Sequence, residues 1–171
     1  MKILNDKEDF FNRNHTRNEG NTHYADYNCG GWALKTFSWF VPYRSASDRY
    51  DYLYCFYDEK NLMYQLEDQF LWEDVEYMLN TFDNLRIIDC LEEVDSSATV
   101  IAYRVGVFEE EDEEEWGYDF HFRVRRNGRW TEKCGAGRIR EVSEDQIFED
   151  WFNSIEDFCY SSDLILFELK E

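Results

Sequence analysis

The chain has 171 residues, of which 19% are aromatic, with one proline and eight glycines. That many large apolar side chains excludes a disordered chain or a linker, and the length suits a single domain, residues 1–171, with a sizeable core. The 38 acidic and 18 basic residues leave a net charge of −20, which excludes direct binding to nucleic acid or anionic membranes and leaves a basic protein surface as a natural partner.

The first 25 residues are polar and read as an N-terminal loop region, with a short helical turn near Asp9-Phe10-Phe11. They hold no apolar signal segment, and no run approaches the roughly 20 apolar residues of a membrane helix. The reading therefore places the chain in the cytoplasm, that of the host for a phage-encoded protein, with reduced thiols. Its five cysteines, at positions 29, 55, 90, 134 and 159, show neither CxxC nor zinc spacing. No phosphate loop, cofactor motif or metal cluster is visible, so no cofactor is expected.

Next comes Asp26-Tyr-Asn-Cys-Gly-Gly-Trp-Ala-Leu-Lys-Thr-Phe37. The apolar residues Trp32, Ala33, Leu34, Phe37, Trp39 and Phe40 predict a buried helix ended by Pro42, with Cys29 in its first turn. Amide N–H groups and the helix dipole favour a thiolate at such a place. Residues 43–58 are rich in tyrosine and read either as a loop over the core or as one wall of a cleft. A helix is predicted over 61–82 from apolar steps of three and four. Strands are expected at Leu85–Asp89, Ala98–Phe108, Tyr118–Arg126, Arg129–Cys134 and Asp163–Leu169. Residues 109–117, which begin with seven consecutive acids, read as an exposed acidic loop. Ser143-Glu-Asp-Gln146 resembles a capping box that opens a helix through Ile147, Phe148, Trp151 and Phe152. Together these elements give an α+β domain, with a Cys-bearing N-terminal helix packed on an antiparallel sheet.

Asn127-Gly128 between two strand-like runs is the signature of a type I′ hairpin. A two-residue loop pairs Arg126 with Arg129, Arg125 with Trp130, Arg123 with Glu132, and His121 with Cys134. Alternation then sets Asp119, His121, Arg123 and Arg125 on one face, and Phe120, Phe122 and Val124 on the other, toward the core. Glu132 falls diagonal to His121, within reach of a carboxylate–imidazole hydrogen bond. A cysteine at a helix start, a histidine on a strand and a carboxylate on the next strand are the parts that thiol attack on a carbonyl needs. In this reading Cys29 is the nucleophile, His121 the base and acid, and Glu132 the orienting group. The Cys29 N–H is one oxyanion donor; Asn28, Asn21 and His23 stay open as the second, and Trp32 is assigned to substrate binding. Cys134 reads as a cross-strand filler or a second reactive thiol. The other cysteines read as core.

The blocks Asn28-Cys-Gly-Gly-Trp-Ala-Leu34, Asp119-Phe-His-Phe-Arg123 and Gly128-Arg-Trp-Thr-Glu-Lys-Cys-Gly135 resemble papain-like cysteine peptidases. The branch they are most similar to is the bacterial cell-wall amidopeptidases, together with a set of uncharacterised bacterial and phage proteins in which the position of Glu132 is often histidine and that of Cys134 often proline. The resemblance implies a papain-like fold and hydrolysis of an amide bond in a peptide or protein substrate. The acidic composition supports a different class of function: a non-enzymatic interaction protein, such as a phage-encoded inhibitor that presents carboxylates, in the manner of a nucleic acid, to a host defence nuclease.

Overall fold

The computed structural model describes residues 2–3, 24–42, 49, 53, 60–110, 115–154 and 157–171. The short helical turn expected near Asp9, His15, Asn21, His23, Cys55 and nearly all of the tyrosine-rich segment lie outside the described residues.

The β-branched and aromatic runs of the second half pair into one antiparallel sheet. Its strands are β1 (Lys2–Ile3), β2 (Leu85–Ile88), β3 (Thr99–Glu110), β4 (Glu115–Arg126), β5 (Arg129–Lys133), β6 (Ile139–Glu141) and β9 (Ile165–Leu169), in the order β1-β6-β5-β4-β3-β9-β2. A small second sheet pairs β7 (Phe152–Asn153) with β8 (Phe158–Cys159). The helices are α1 (Cys29–Ala33), α2 (Lys60–Thr81) and α3 (Glu144–Phe148). The architecture is α+β, and α1 packs against β4 and β5.

Helix α2 forms where the apolar period runs longest. Met63, Leu66, Phe70, Leu71, Val75 and Met78 are buried against one face of the sheet, while Tyr64 and Trp72 face outward. Two acids share the buried face, and each has polar partners there. Glu67 Oε2 accepts from the Val107 N–H (2.9 Å) and the Ser161 hydroxyl (2.8 Å). Asp74 accepts from the Tyr103 (2.6 Å) and Tyr118 hydroxyls and pairs with Arg49 (2.6 Å). Burial outweighs the Arg49 charge and these two donors, so the Asp74 carboxyl is pushed up to about 6.

The Asn127-Gly128 turn is as expected, with both residues at positive φ (53° and 75°). Arg126–Arg129, Arg125–Trp130 and Arg123–Glu132 pair in the register the turn dictates. The ladder stops there: His121 does not pair with Cys134. Lys133 pairs onward with Ile139 of β6, and a tight turn closed by Gly137 N–H to Cys134 C=O (2.9 Å) carries the chain away from β4. The gap that opens beside His121 is where the start of α1 meets the sheet.

Several expectations need correction. Helix α1 ends at Ala33 rather than at Pro42, because the chain folds back over it. Lys35 and Phe37 take positive φ, and the Gly31 carbonyl receives both Thr36 and Phe37 N–H at 3.1 Å. Trp39 consequently lies 56% exposed rather than in the core. Arg126 closes the helix end, donating to the Trp32 (3.2 Å) and Ala33 (2.7 Å) carbonyls. Helix α3 has its capping box, with Gln146 Oε1 accepting from Ser143 N–H at 2.8 Å, yet ends at Phe148 because Phe152 is drawn into β7. The N-terminal region contributes β1, paired to β6. The acidic run is partly strand: Glu109 and Glu110 end β3, Glu115 begins β4, and only 111–114 lie outside the described residues. Cys90 is exposed and Cys159 half-buried, so neither is a core residue.

The largest difference concerns the polar face of β4, which is also covered. Trp130, Val142, Ile147, Trp151, Phe158, Tyr160 and Leu166 form a second apolar layer on that side. His121, Arg123 and Arg125 are therefore buried, each less than a tenth exposed. Among the described residues, no helix is long and apolar enough to cross a membrane.

Candidate active site

Asn28 sets the position of Cys29. Its backbone is extended (φ −99°, ψ −169°), and its Oδ1 accepts from the Gly31 N–H at 3.1 Å as a helix cap. The same oxygen accepts from the Phe40 N–H (3.0 Å), and its Nδ2 donates to the Phe40 carbonyl (2.7 Å). One side chain thus locks both the start of α1 and the returning chain. Gly31 is required for that return, since a Cβ there would lie 2.1 Å from the Ser38 carbonyl oxygen. Cys29 is the first residue of the helix, 5% exposed.

The His121 imidazole lies between Cys29 and Glu132. Its Nε2 meets Glu132 Oε2 at 2.9 Å, and the Cys29 side chain is close enough to act on the ring electrostatically. With Nε2 engaged by the carboxylate, Nδ1 is the atom left for the thiol. The ring stacks on Tyr160 (centroids 5.4 Å apart, 22° between planes) and meets the edge of Trp151 at 5.9 Å. These neighbours fix the plane in which it can bond. Burial works against a charged imidazole here, but Glu132 and Cys29 outweigh it and hold the His121 pKa well above the ordinary histidine range.

Glu132 is 1% exposed. Burial alone would raise its carboxyl, but His121 and Arg123 together bring it down to about 2. Arg123 Nε donates to Oε2 at 2.7 Å, and its guanidinium lies 4.4 Å from the Trp151 ring centroid. Arg140 Nη2 is 3.6 Å from Oε1. Lys133, the next residue, faces the α1 side. It is buried, donates to the Gly135 carbonyl at 2.5 Å and sits over the Tyr27 ring. Burial lowers its pKa to about 8, although Cys29, Cys134 and Asp26 counteract this.

Cys29 and His121 open onto a cavity of about 500 Å³. Asn28, Asp119, Glu132, Cys134 and Arg140 also line it, as do Trp39, Trp151, Phe152 and Tyr160. Volumes of this size suit a peptide side chain or two. Of the residues expected from the sequence, Cys29, His121, Glu132 and Asn28 meet here. Asn28 is engaged as a cap, which leaves one amide hydrogen for any other task. Trp32 does not line the cavity: its ring is 1% exposed and its indole N–H donates to Thr131 Oγ1 at 3.0 Å, so it pins α1 to β5. His23 lies outside the described residues. Sequence reasoning did not find Tyr160, Trp151 or Phe152, which arrive from a segment with no pattern tying it to β4. Asp119 and Arg123 were already marked by their alternation with His121.

His121, Glu132 and Cys134 also offer three possible metal-ligand atoms within 4.8 Å of one another. The set fits a metal poorly. Both Glu132 oxygens face a guanidinium, Arg140 also contacts the Cys134 sulfur, and burial pushes the Cys134 thiol up, toward its protonated form. A dication would have to displace two arginines. Cys134 reads better as part of the polar packing around Glu132, with its sulfur 3.6 Å from Oε1.

Comparison with known proteins yields no match to a protein-family model, to a curated protein or to a solved structure.

Proposed function

We propose that the chain is a papain-like thiol hydrolase that cleaves an amide bond in a peptide or protein substrate. The observation that carries this reading is a cysteine at a helix start that shares the wall of an open cavity with an imidazole whose Nε2 is held by a buried carboxylate. His121 takes the Cys29 proton, and the sulfur bonds to the substrate carbonyl carbon while the carbonyl electrons move to oxygen. The Cys29 N–H donates to that oxygen. The imidazolium returns its proton to the leaving nitrogen as the C–N bond breaks, which leaves a thioester on Cys29. Water then attacks the thioester, gives a proton to His121 and releases the acid, and the proton goes back to sulfur. Glu132 holds the ring in orientation throughout and stabilises the imidazolium each time it forms.

Site-resolved alkylation tests this reading. Iodoacetamide should label Cys29 faster than any other cysteine, and His121→Ala should slow that labelling at least about tenfold, the low end of what a positioned base contributes. Equal, slow labelling of all five cysteines would contradict it. The net charge of −20 equally suits an acidic interaction protein. That reading assigns no task to the thiol–imidazole–carboxylate arrangement, and it requires binding to a basic partner that weakens steeply with salt and survives Cys29→Ala.

A further inference from the structure

We propose that Asp119 makes the same cavity selective for a substrate carrying a positively charged group next to the scissile bond; this rests on the thiol-hydrolase reading and specifies its substrate class. Asp119 lies two residues before His121 on the same face of β4 and lines the cavity with it. Its Oδ2 accepts from the Tyr160 hydroxyl (2.8 Å), and its Oδ1 from the Phe120 N–H (2.8 Å). Both donors are neutral. Among the described residues no lysine or arginine forms an ion pair with it, whereas Glu132, the other carboxylate of the cavity, is held by Arg123 and His121. Arg123 and Arg140 are engaged by Glu132, the Gln146 carbonyl and Cys134.

Among the described residues Asp119 is therefore the cavity carboxylate with no lysine or arginine ion pair, and the positive group that acts on it is the His121 imidazole. Burial raises its carboxyl although Tyr160, the Phe120 N–H and His121 pull it down, so a further positive charge in the cavity would stabilise the carboxylate. Tyr160 joins it to the reacting centre, since the tyrosine ring stacks on His121 while its hydroxyl holds the carboxylate. A substrate with its carbonyl at Cys29 would extend an adjacent side chain past Tyr160 toward Asp119. At the mouth, Trp39 and Phe152 are each 56% exposed. Aromatic faces there suit the alkyl stem and charged head of a lysine or arginine. The net charge of −20 adds long-range attraction for the same class of substrate.

The test uses three small alkylating reagents: iodoacetamide (neutral), iodoacetate (anionic) and 2-bromoethylammonium (cationic). Rates at Cys29 are divided by those of glutathione, and each charged reagent is then divided by iodoacetamide in the same variant. The wild type should favour the ammonium over the acetate reagent at least about tenfold. Asp119→Asn keeps an acceptor for Tyr160 and should reduce that ratio about tenfold. Glu92→Gln, at an exposed site, makes the same change in net charge and should leave the ratio in place. A wild-type ratio equal to that of glutathione, or a ratio unaltered by Asp119→Asn, would overturn the proposal even where iodoacetamide labels Cys29 rapidly.

If iodoacetamide fails to single out Cys29, the hydrolase reading falls, and the subsite is judged by binding alone. Titration of the Cys29→Ala protein with Nα-acetyl-lysine methylamide, followed by tryptophan fluorescence, should then show affinity that drops about tenfold on adding Asp119→Asn. Equal affinity in the two proteins would overturn the proposal.

Discussion

Replacing Glu132 by glutamine keeps the size and an acceptor oxygen but removes the charge that His121 and Arg123 share. Holding a carboxyl at about 2 rather than at its ordinary 4.5 corresponds to about 3 kcal/mol at neutral pH, at about 1.36 kcal/mol per pH unit. Breaking a buried pair by removing one partner costs on the order of 3–5 kcal/mol, which agrees. For a chain of this length the melting temperature should fall by roughly 6–12 °C. The pH dependence gives the sharper test. Glu132 has a depressed pKa, so its contribution is present above pH 4.5 and is lost as pH falls toward 2. His121 has a raised pKa, so its contribution is present below its unfolded value and is lost as pH rises through its folded one. Urea unfolding of wild type and Glu132→Gln between pH 2 and 9 should therefore show a difference that is largest between about pH 4.5 and 6.5 and vanishes toward pH 2. On the alkaline side it should shrink only in part, because Arg123 stays charged. A difference that is constant from pH 2 to 5 would refute the assignment of a charged Glu132.

Three further outcomes follow from the same geometry. Asn28→Ala removes the α1 cap and both links to Phe40; it should cost about 2 kcal/mol in urea unfolding and slow Cys29 alkylation. Gly31→Ala forces a Cβ against the Ser38 carbonyl, a backbone clash that should cost about 3 kcal/mol and be visible as early thermal unfolding. Asp74 has a raised pKa of about 6, so its contribution is present below its ordinary value of 3.8 and is lost as pH rises through 6. The stability of Asp74→Asn relative to wild type should accordingly improve by about 3 kcal/mol between pH 4 and 7.

The legible parts of the fold and site were those set by local rules. Asn127-Gly128 determines its own turn, and the turn determines which residue opposes Arg123, so the nearness of Glu132 to His121 needed no tertiary information. The apolar steps of α2 are likewise a property of one segment. The end of α1 is different. Leu34, Phe37 and Phe40 continue a helical pattern, but they are apolar because the chain doubles back into the same core, with Gly31 as the contact point. Trp151 misled for a similar reason: it continues the period of α3, yet its indole N–H donates back to the Ile147 carbonyl (3.0 Å) while the chain leaves for β7. The second apolar layer could not be read from β4, whose alternation of Asp, His and Arg with Phe and Val looks like one wet face and one dry. Its polar face is dry as well, because residues some twenty to forty positions later cover it. That cover makes the Glu132 carboxylate strong enough in its effect to keep His121 charged.

Acylation of Cys29 itself tests whether this thiol is the nucleophile. On mixing with excess p-nitrophenyl acetate, the protein should release about one equivalent of nitrophenolate rapidly, carry an acetyl group on the Cys29 peptide by mass spectrometry, and then turn over slowly as the free thiol returns. His121→Ala should lose the rapid phase. Acetylation spread over the other cysteines, or nitrophenolate release that persists unchanged in Cys29→Ala, would contradict a Cys29 nucleophile.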